Sequence, residues 1–263
     1  MVRSAETALS TRTAGVAARA RRSVYLFLAD YPRVYYPVMR RRGLYKHLLI
    51  SDRTELVIEG YPRSGNTFAV AALQYAQARE LTIARHTHAP AQVIEGVRRR
   101  LPVLVLVREP RDAAASLVIH DPGVSLEMAL RRYIRFHSRI HRYHTGYVVG
   151  TFPEVTTNYA PVIERLNQAF RLGLTPFKHT SANCEVVFKI LEDMEREVFR
   201  GALAETRVAR PSAVRHQLKV RLMDALDRAK HRLLLEECCA LYQQFRAMAA
   251  PMHEWKGAHG PGS

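Results

Sequence analysis

The sequence offers little sulfur chemistry: three cysteines in 263 residues, Cys184, Cys238 and Cys239. Two are adjacent, a poor geometry for pairing with each other, and the three have neither metal-site spacing nor the number for a disulfide framework. A reducing cytoplasm is the compartment this usage implies. Long apolar runs are missing too. None approaches the roughly 18 residues of a membrane span. Tyr25 to Ala29 follows basic residues but is cut short at Asp30, so no signal peptide is expected. No carboxylate-rich cluster appears, so no metal site is expected. Acidic side chains are scarce: 24 Asp and Glu stand against 40 Lys and Arg, a net charge of +16. Such a field favours anionic partners, whether nucleotides, sulfated or phosphorylated molecules, nucleic acid or an acidic membrane. It does not choose among them.

What is present suits a soluble globular chain, with 48% hydrophobic residues and enough length to bury a core. The first 50 residues hold ten Lys or Arg against two acids, half of the excess charge. Residues 1–22 read as a basic arm. Residues 23–50 interleave aromatics with arginines, a pattern that can lie on an anionic membrane; the favoured alternative packs the aromatics inward. The chain therefore divides into a basic N-terminal arm or helical segment over 1–50, one domain over 51–256 and a mobile tail over 257–263.

The organising stretch is Glu55 to Phe68. A strand (Leu56 to Ile58) meets a turn bounded by Gly60 and Gly65, and an Ala-rich helix follows from Ala69 to Ala78. Strand, glycine turn and helix aim backbone N–H groups at a phosphate, although an ordinary connection could use the same residues. Leu81 to His88 alternates like a second strand, which would point His86 and His88 the same way. Ala91 to Arg100 suits a short helix. Pro102 to Val107 is a continuous apolar run of the kind covered on both faces of a parallel sheet. It ends in Arg108-Glu-Pro-Arg-Asp112, and a helix begins at Ala113. Two strand ends carrying arginines lie where open α/β sheets bind ligands. Ser125 caps a long helix, Tyr147 to Gly150 is a further strand, and Thr157 or Asn158 starts another helix. Residues 173–188 read as a strand or loop. From Pro211 one long helical stripe (Leu222, Leu226, Ala229, Leu233, Leu241, Phe245) reads as core.

Three of these segments, in order, resemble the sulfotransferases that use 3′-phosphoadenosine 5′-phosphosulfate (PAPS). Tyr61-Pro-Arg-Ser-Gly-Asn-Thr-Phe68 is similar to that family's 5′-phosphosulfate loop, YPKSGTTW. Val105 to Ser116 is similar to its 3′-phosphate segment, a strand followed by R-x-P-[KR]-D-x-x-x-S. His86-Thr-His-Ala-Pro90 is similar to its K-T-H-L-P segment. The resemblance implies an α/β three-layer sandwich, with a central mainly parallel sheet, helices on both faces and P-loop NTPase-like topology. It implies PAPS as donor, PAP as product and a hydroxyl or amine on a small molecule, glycan or lipid as acceptor. His88 would be the general base, with His86 as the alternative. Arg63, standing for the family's lysine, would stabilise the leaving phosphate. Ser64, Gly65, Asn66, Thr67 and Phe68 would hold the 5′ end, Phe68 replacing a tryptophan that stacks on adenine. Arg108 and Ser116 would hold the 3′-phosphate. The family's R-K-G loop is missing, and Arg215 or Arg210 is its nearest substitute. The resemblance leaves acceptor identity and oligomeric state open. A P-loop kinase would need a lysine after Gly65, where Asn66 stands. A purely basic binding module lacks any nucleic-acid motif, so no nucleic acid is expected.

Overall fold

A computed structural model describes residues 24–41, 43, 46–198 and 213–249. Four strands form one parallel sheet in the order β2-β1-β3-β4. They are β1 (Leu56–Gly60), β2 (Ile83–Arg85), β3 (Val103–Val107) and β4 (Val148–Thr151). The helices are α1 (Pro32–Arg41), α2 (Asn66–Ala76), α3 (Pro90–Arg98), α4 (Pro110–His120) and α5 (Leu126–His141), then α6 (Phe152–Thr157), α7 (Ala160–Phe170), α8 (Ser181–Val198), α9 (Ala213–Leu226) and α10 (Ala229–Ala249).

The apolar strands explain the layering. In β1 and β3 every residue is buried, and alternate side chains serve opposite faces. Val57, Val103, Val105, Val107 and Val149 join one core with α1, α3, α5 and α10. Leu56, Ile58, Leu104 and Leu106 join a second core with α2, α7 and α8. The expected α/β architecture, a parallel sheet with helices on both faces, is the observed one. Because β2 lies on one side of β1 and β3 on the other, the strand order reverses between β1 and β3. That crevice, at the carboxyl ends of the strands, is where such sheets bind ligands.

Several elements differ from the sequence expectation. The second strand stops at Arg85, because His86 and His88 both take positive φ (58° and 50°). Extended alternation therefore does not orient the two rings. The helix expected from Thr157 or Asn158 is α7, which begins at Ala160, and a separate short helix, α6, precedes it. Thr151 and Glu154 form a capping box that starts α6 earlier, and the chain breaks at Asn158 before Pro161 opens α7. Part of the expected strand or loop at 173–188 is the start of α8, whose Val187 and Leu191 are buried against α2. The long C-terminal stripe is two helices. Leu226 and Phe245 are buried, whereas Leu233 is 77% exposed.

The described part of the N-terminal segment packs inward. Tyr35, Tyr36 and Met39 lie in the first core, the Tyr36 hydroxyl donates to Gln92 at 2.9 Å, and that of Tyr25 donates to the Thr87 carbonyl at 2.7 Å. Residues 1–23 and 250–263, and with them the arm's start and the tail, lie outside the described residues, as does Arg210. Among the described residues no helix is long and apolar enough to cross a membrane.

Candidate active site at the switch point of the sheet

The turn after β1 is shaped by two glycines. A Cβ on Gly60 would sit 2.4 Å from the Leu106 carbonyl oxygen on β3, so β1 and β3 can approach only without one. Gly65 has φ of 90°, and a Cβ there would meet the Phe152 ring at 3.2 Å. Gly65 is also the N-cap of α2 and supplies no capping side chain. The first main-chain bond of that helix runs from Ala69 N–H to the Gly65 carbonyl at 2.9 Å. The N–H groups of Asn66, Thr67 and Phe68 precede it, and together with the helix dipole they make an anion cradle.

Cations converge on this cradle. Arg63 has φ of 69°, and its Nε donates to the Ser116 hydroxyl at 3.3 Å. Burial first, then the nearby charges of Arg215 and Arg108, push its pKa down to about 10, with Glu195 opposing. Arg108 Nη1 donates to the Arg63 carbonyl at 2.9 Å. Its guanidinium lies 3.9 Å from the centre of the Phe152 ring and 3.6 Å from the Asp112 carboxylate. Burial lowers the Arg108 pKa as well, and its Nε is buried without a partner. Arg215 arrives on α9, which packs on α4 and is fastened there by Lys219 on Asp112 and Asp227 on Arg111.

The two histidines stand beside the turn. His88 Nδ1 lies 2.9 Å from the Gly60 carbonyl. A carbonyl only accepts, so Nδ1 carries the proton and Nε2 keeps its lone pair. Burial, then the charges of His86, Arg132 and Arg63, push the His88 pKa down to about 3, against the Gly60 bond. His86 Nε2 is 3.1 Å from the Thr67 hydroxyl, and burial with Arg85 lowers its pKa to about 4. The rings are 6.1 Å apart and nearly perpendicular.

Three contributors escaped the sequence reading. Glu59, fully buried, accepts from Thr87 N–H and Thr87 hydroxyl at 2.8 Å each, from His88 N–H at 3.0 Å and from Gln92 at 3.3 Å. Burial raises its pKa to about 7, against those bonds. Phe152 walls the turn, and Arg132 adds charge near His88. A glutamate inside an apolar strand was the signal for Glu59; nothing local marked the other two.

The residues taken from the resemblance fall into two groups. Arg63, Gly65, Thr67, His88, Arg108, Ser116 and Arg215 gather around the turn. Ser64, Asn66 and Phe68 face inward. Ser64 is fully buried and its hydroxyl has no partner. The Asn66 amide donates to the Tyr61 carbonyl at 3.3 Å, tying the turn to itself. Phe68 is buried beside Phe177, Phe188 and His179, so its ring is core rather than a face for adenine. Among the described residues no group of three or more His, Cys, Asp or Glu is placed to hold a metal ion.

No family model and no curated protein matches the sequence. Among solved structures the chain is similar to mouse sulfotransferase SULT7A1 complexed with PAP. The identity is 9%, over 78% of this chain and 92% of that one, with a TM-score of 0.43.

Proposed function

We propose that the protein transfers a sulfuryl group from PAPS to a hydroxyl of an acceptor. One observation carries this reading: Arg63, Arg108 and Arg215 crowd an uncapped helix N-terminus beside a histidine whose Nδ1 is already committed to a carbonyl. Glu195 near Arg63 and Asp112 beside Arg108 offset part of this positive charge, and an anionic ligand held at the helix N-terminus would offset more of it. Two separated anionic groups suit the cluster better than one, because the cradle of α2 follows β1 whereas Arg108 follows β3.

In this reading the N–H groups of Asn66, Thr67 and Phe68 hold the 5′-phosphosulfate, and Arg108 with Ser116 holds the 3′-phosphate. Arg215 closes over the nucleotide. The acceptor oxygen forms a bond to sulfur while the bond from sulfur to the 5′-phosphate oxygen breaks, and PAP leaves with the electron pair. Arg63 offsets the charge growing on that phosphate. The acceptor proton goes to His88 Nε2. A base with a pKa near 3 is weak at neutral pH. Burial is the main cause of that value, and His86 the next; the donor's negative charges oppose the smaller contributions of Arg132 and Arg63 and so raise His88 when the donor is bound.

Calorimetry tests the donor. PAP should bind without added metal and at least about tenfold more tightly than AMP, which lacks the 3′-phosphate contacts. Equal affinities would overturn the assignment. Labelled PAPS with a panel of phenol, sugar, lipid and peptide hydroxyls then identifies the acceptor.

A further inference from the structure

A second feature lies apart from the sheet edge. Val24, Phe27, Tyr31 and Val34 recur at helical spacing, yet are 57%, 59%, 40% and 48% exposed. The Phe27 and Tyr31 rings are in contact, their centres 5.3 Å apart. Val24 and Phe27 lie on a helical stretch at 24–28 and Val34 on α1, with a break at 29–31 between them; the inward sides are docked through Tyr25 on the first and Tyr35, Tyr36 and Met39 on the second. Scattered exposed apolar residues need no explanation, but four within eleven residues, two of them touching aromatics, do.

Cations border the row. Arg139 donates to the Tyr31 hydroxyl at 3.2 Å, and its guanidinium lies 5.3 Å from the centre of that ring. Asp30, itself buried, binds Arg135 at 2.8 Å and Arg139 at 2.9 Å. One carboxylate fixes two guanidiniums and leaves them net positive. Arg135, Ser138, Arg139 and Arg142 line an open basin of about 310 Å³. Arg33, Arg40 and Arg41 stand exposed on α1.

We infer that this face docks on an anionic phospholipid bilayer. The aromatic row sits at the boundary of headgroups and acyl chains, and the arginine basin takes lipid phosphates. An apolar row flanked by fixed cations is what binding at such an interface requires. A soluble polyanion would use the basin and leave the apolar row without a role. Two copies joined symmetrically through this face would oppose their own arginines.

Sedimentation of the full chain with vesicles tests the inference. The protein should pellet with equal parts phosphatidylcholine and phosphatidylglycerol, less so in high salt, and remain in solution with phosphatidylcholine alone. Phe27→Ser with Val34→Ser should weaken partitioning about tenfold, and Arg142→Gln about fivefold. PAP titration of both variants should match the parent chain. Equal pelleting with neutral vesicles overturns the inference. So does full binding by the folded double variant, or a dimer mass that the double variant abolishes. A second measurement covers a variant that fails to fold. In a Trp255→Phe background, Phe27→Trp fluorescence should shift blue on mixed vesicles alone; an unchanged spectrum overturns the inference.

Discussion

The backbone N–H of His88 donates to Glu59 Oε2 at 3.0 Å, joining the end of β1 to the strap that follows β2. The other oxygen of the same carboxylate holds Thr87 twice. Two left-handed residues, His86 and His88, flank Thr87, a conformation that non-glycine residues keep only when their surroundings hold them. Glu59 is that restraint, and through it β1 fixes the direction of the imidazole.

Replacing Glu59 should therefore disturb His88 before it disturbs the donor cradle. Glu59→Gln brings an amide donor toward the N–H groups of Thr87 and His88, where only acceptors fit. We expect kcat to fall about tenfold or more while PAP affinity changes little. The ¹⁵N signals of the His88 ring should lose their single-tautomer pattern. An unchanged ring spectrum with unchanged kcat would falsify this role.

His88→Asn should lower kcat by about 10²–10⁴ and leave PAP binding within a few-fold of the parent. His86→Asn, which loses only the contact to the Thr67 hydroxyl, should cost less. Steady-state kinetics with the two variants side by side decides between the histidines. The larger loss in His86→Asn would transfer the role of base to His86.

Arg108 holds the Arg63 carbonyl, and in the proposed reading it also holds the 3′-phosphate. Arg108→Ala should weaken PAP binding about tenfold or more, since each charge-assisted bond contributes about 1.5–3 kcal/mol. Arg108→Lys should recover only part of this, because an ammonium lacks the planar fork and the flat contact with Phe152. Calorimetry with PAP measures both. Full recovery by lysine would reduce Arg108 to a point charge.

Stability should fall on acidification below neutrality. His86, His88 and His137 have pKa values lowered by burial to about 4, 3 and 4. Each is neutral when folded but takes a proton when unfolded below its ordinary 6.5. Glu59 acts in the opposite sense. Its raised folded value, about 7 against 4.5, stabilises the folded state at low pH and loses that contribution as pH rises through 7. From pH 6.5 toward 4.5 the histidines outnumber the glutamate by a net of up to about two protons, each worth about 1.4 kcal/mol per pH unit. Urea unfolding across that range should show the decline, with a shallower slope in His88→Asn. Stability that rises on acidification, the sign Glu59 alone would give, would mean that the histidines titrate normally.

The sheet was legible because strands buried on both faces are continuous apolar runs, as Val103 to Val107 shows. The cradle was legible because φ of 90° at the start of a helix, against a packed ring, demands glycine, and Gly65 stands there. The histidine strap was misread as strand. Its conformation is imposed by Glu59, which lies far from it in sequence and close only after β1 and β2 pair. Phe68 was misread for a similar reason. Its neighbours Phe177 and Phe188 belong to a segment, partly α8, far from it in sequence, whose burial depends on packing against α2. Arg215 was legible only as an arginine near the expected place; its approach to Arg63 depends on α9 docking on α4.

That docking has a consequence for the order of events in synthesis. Arg63 and Arg108 come from the first half of the chain, and Arg215 from its last fifth. A ribosome releases the cradle and the histidines well before the third arginine. In the function proposed above, tight capture of a doubly phosphorylated nucleotide therefore waits for α9. A chain ending before residue 213 lacks α10 too, whose Leu235, Cys238 and Phe245 complete the first core, so it should lose stability together with the third arginine.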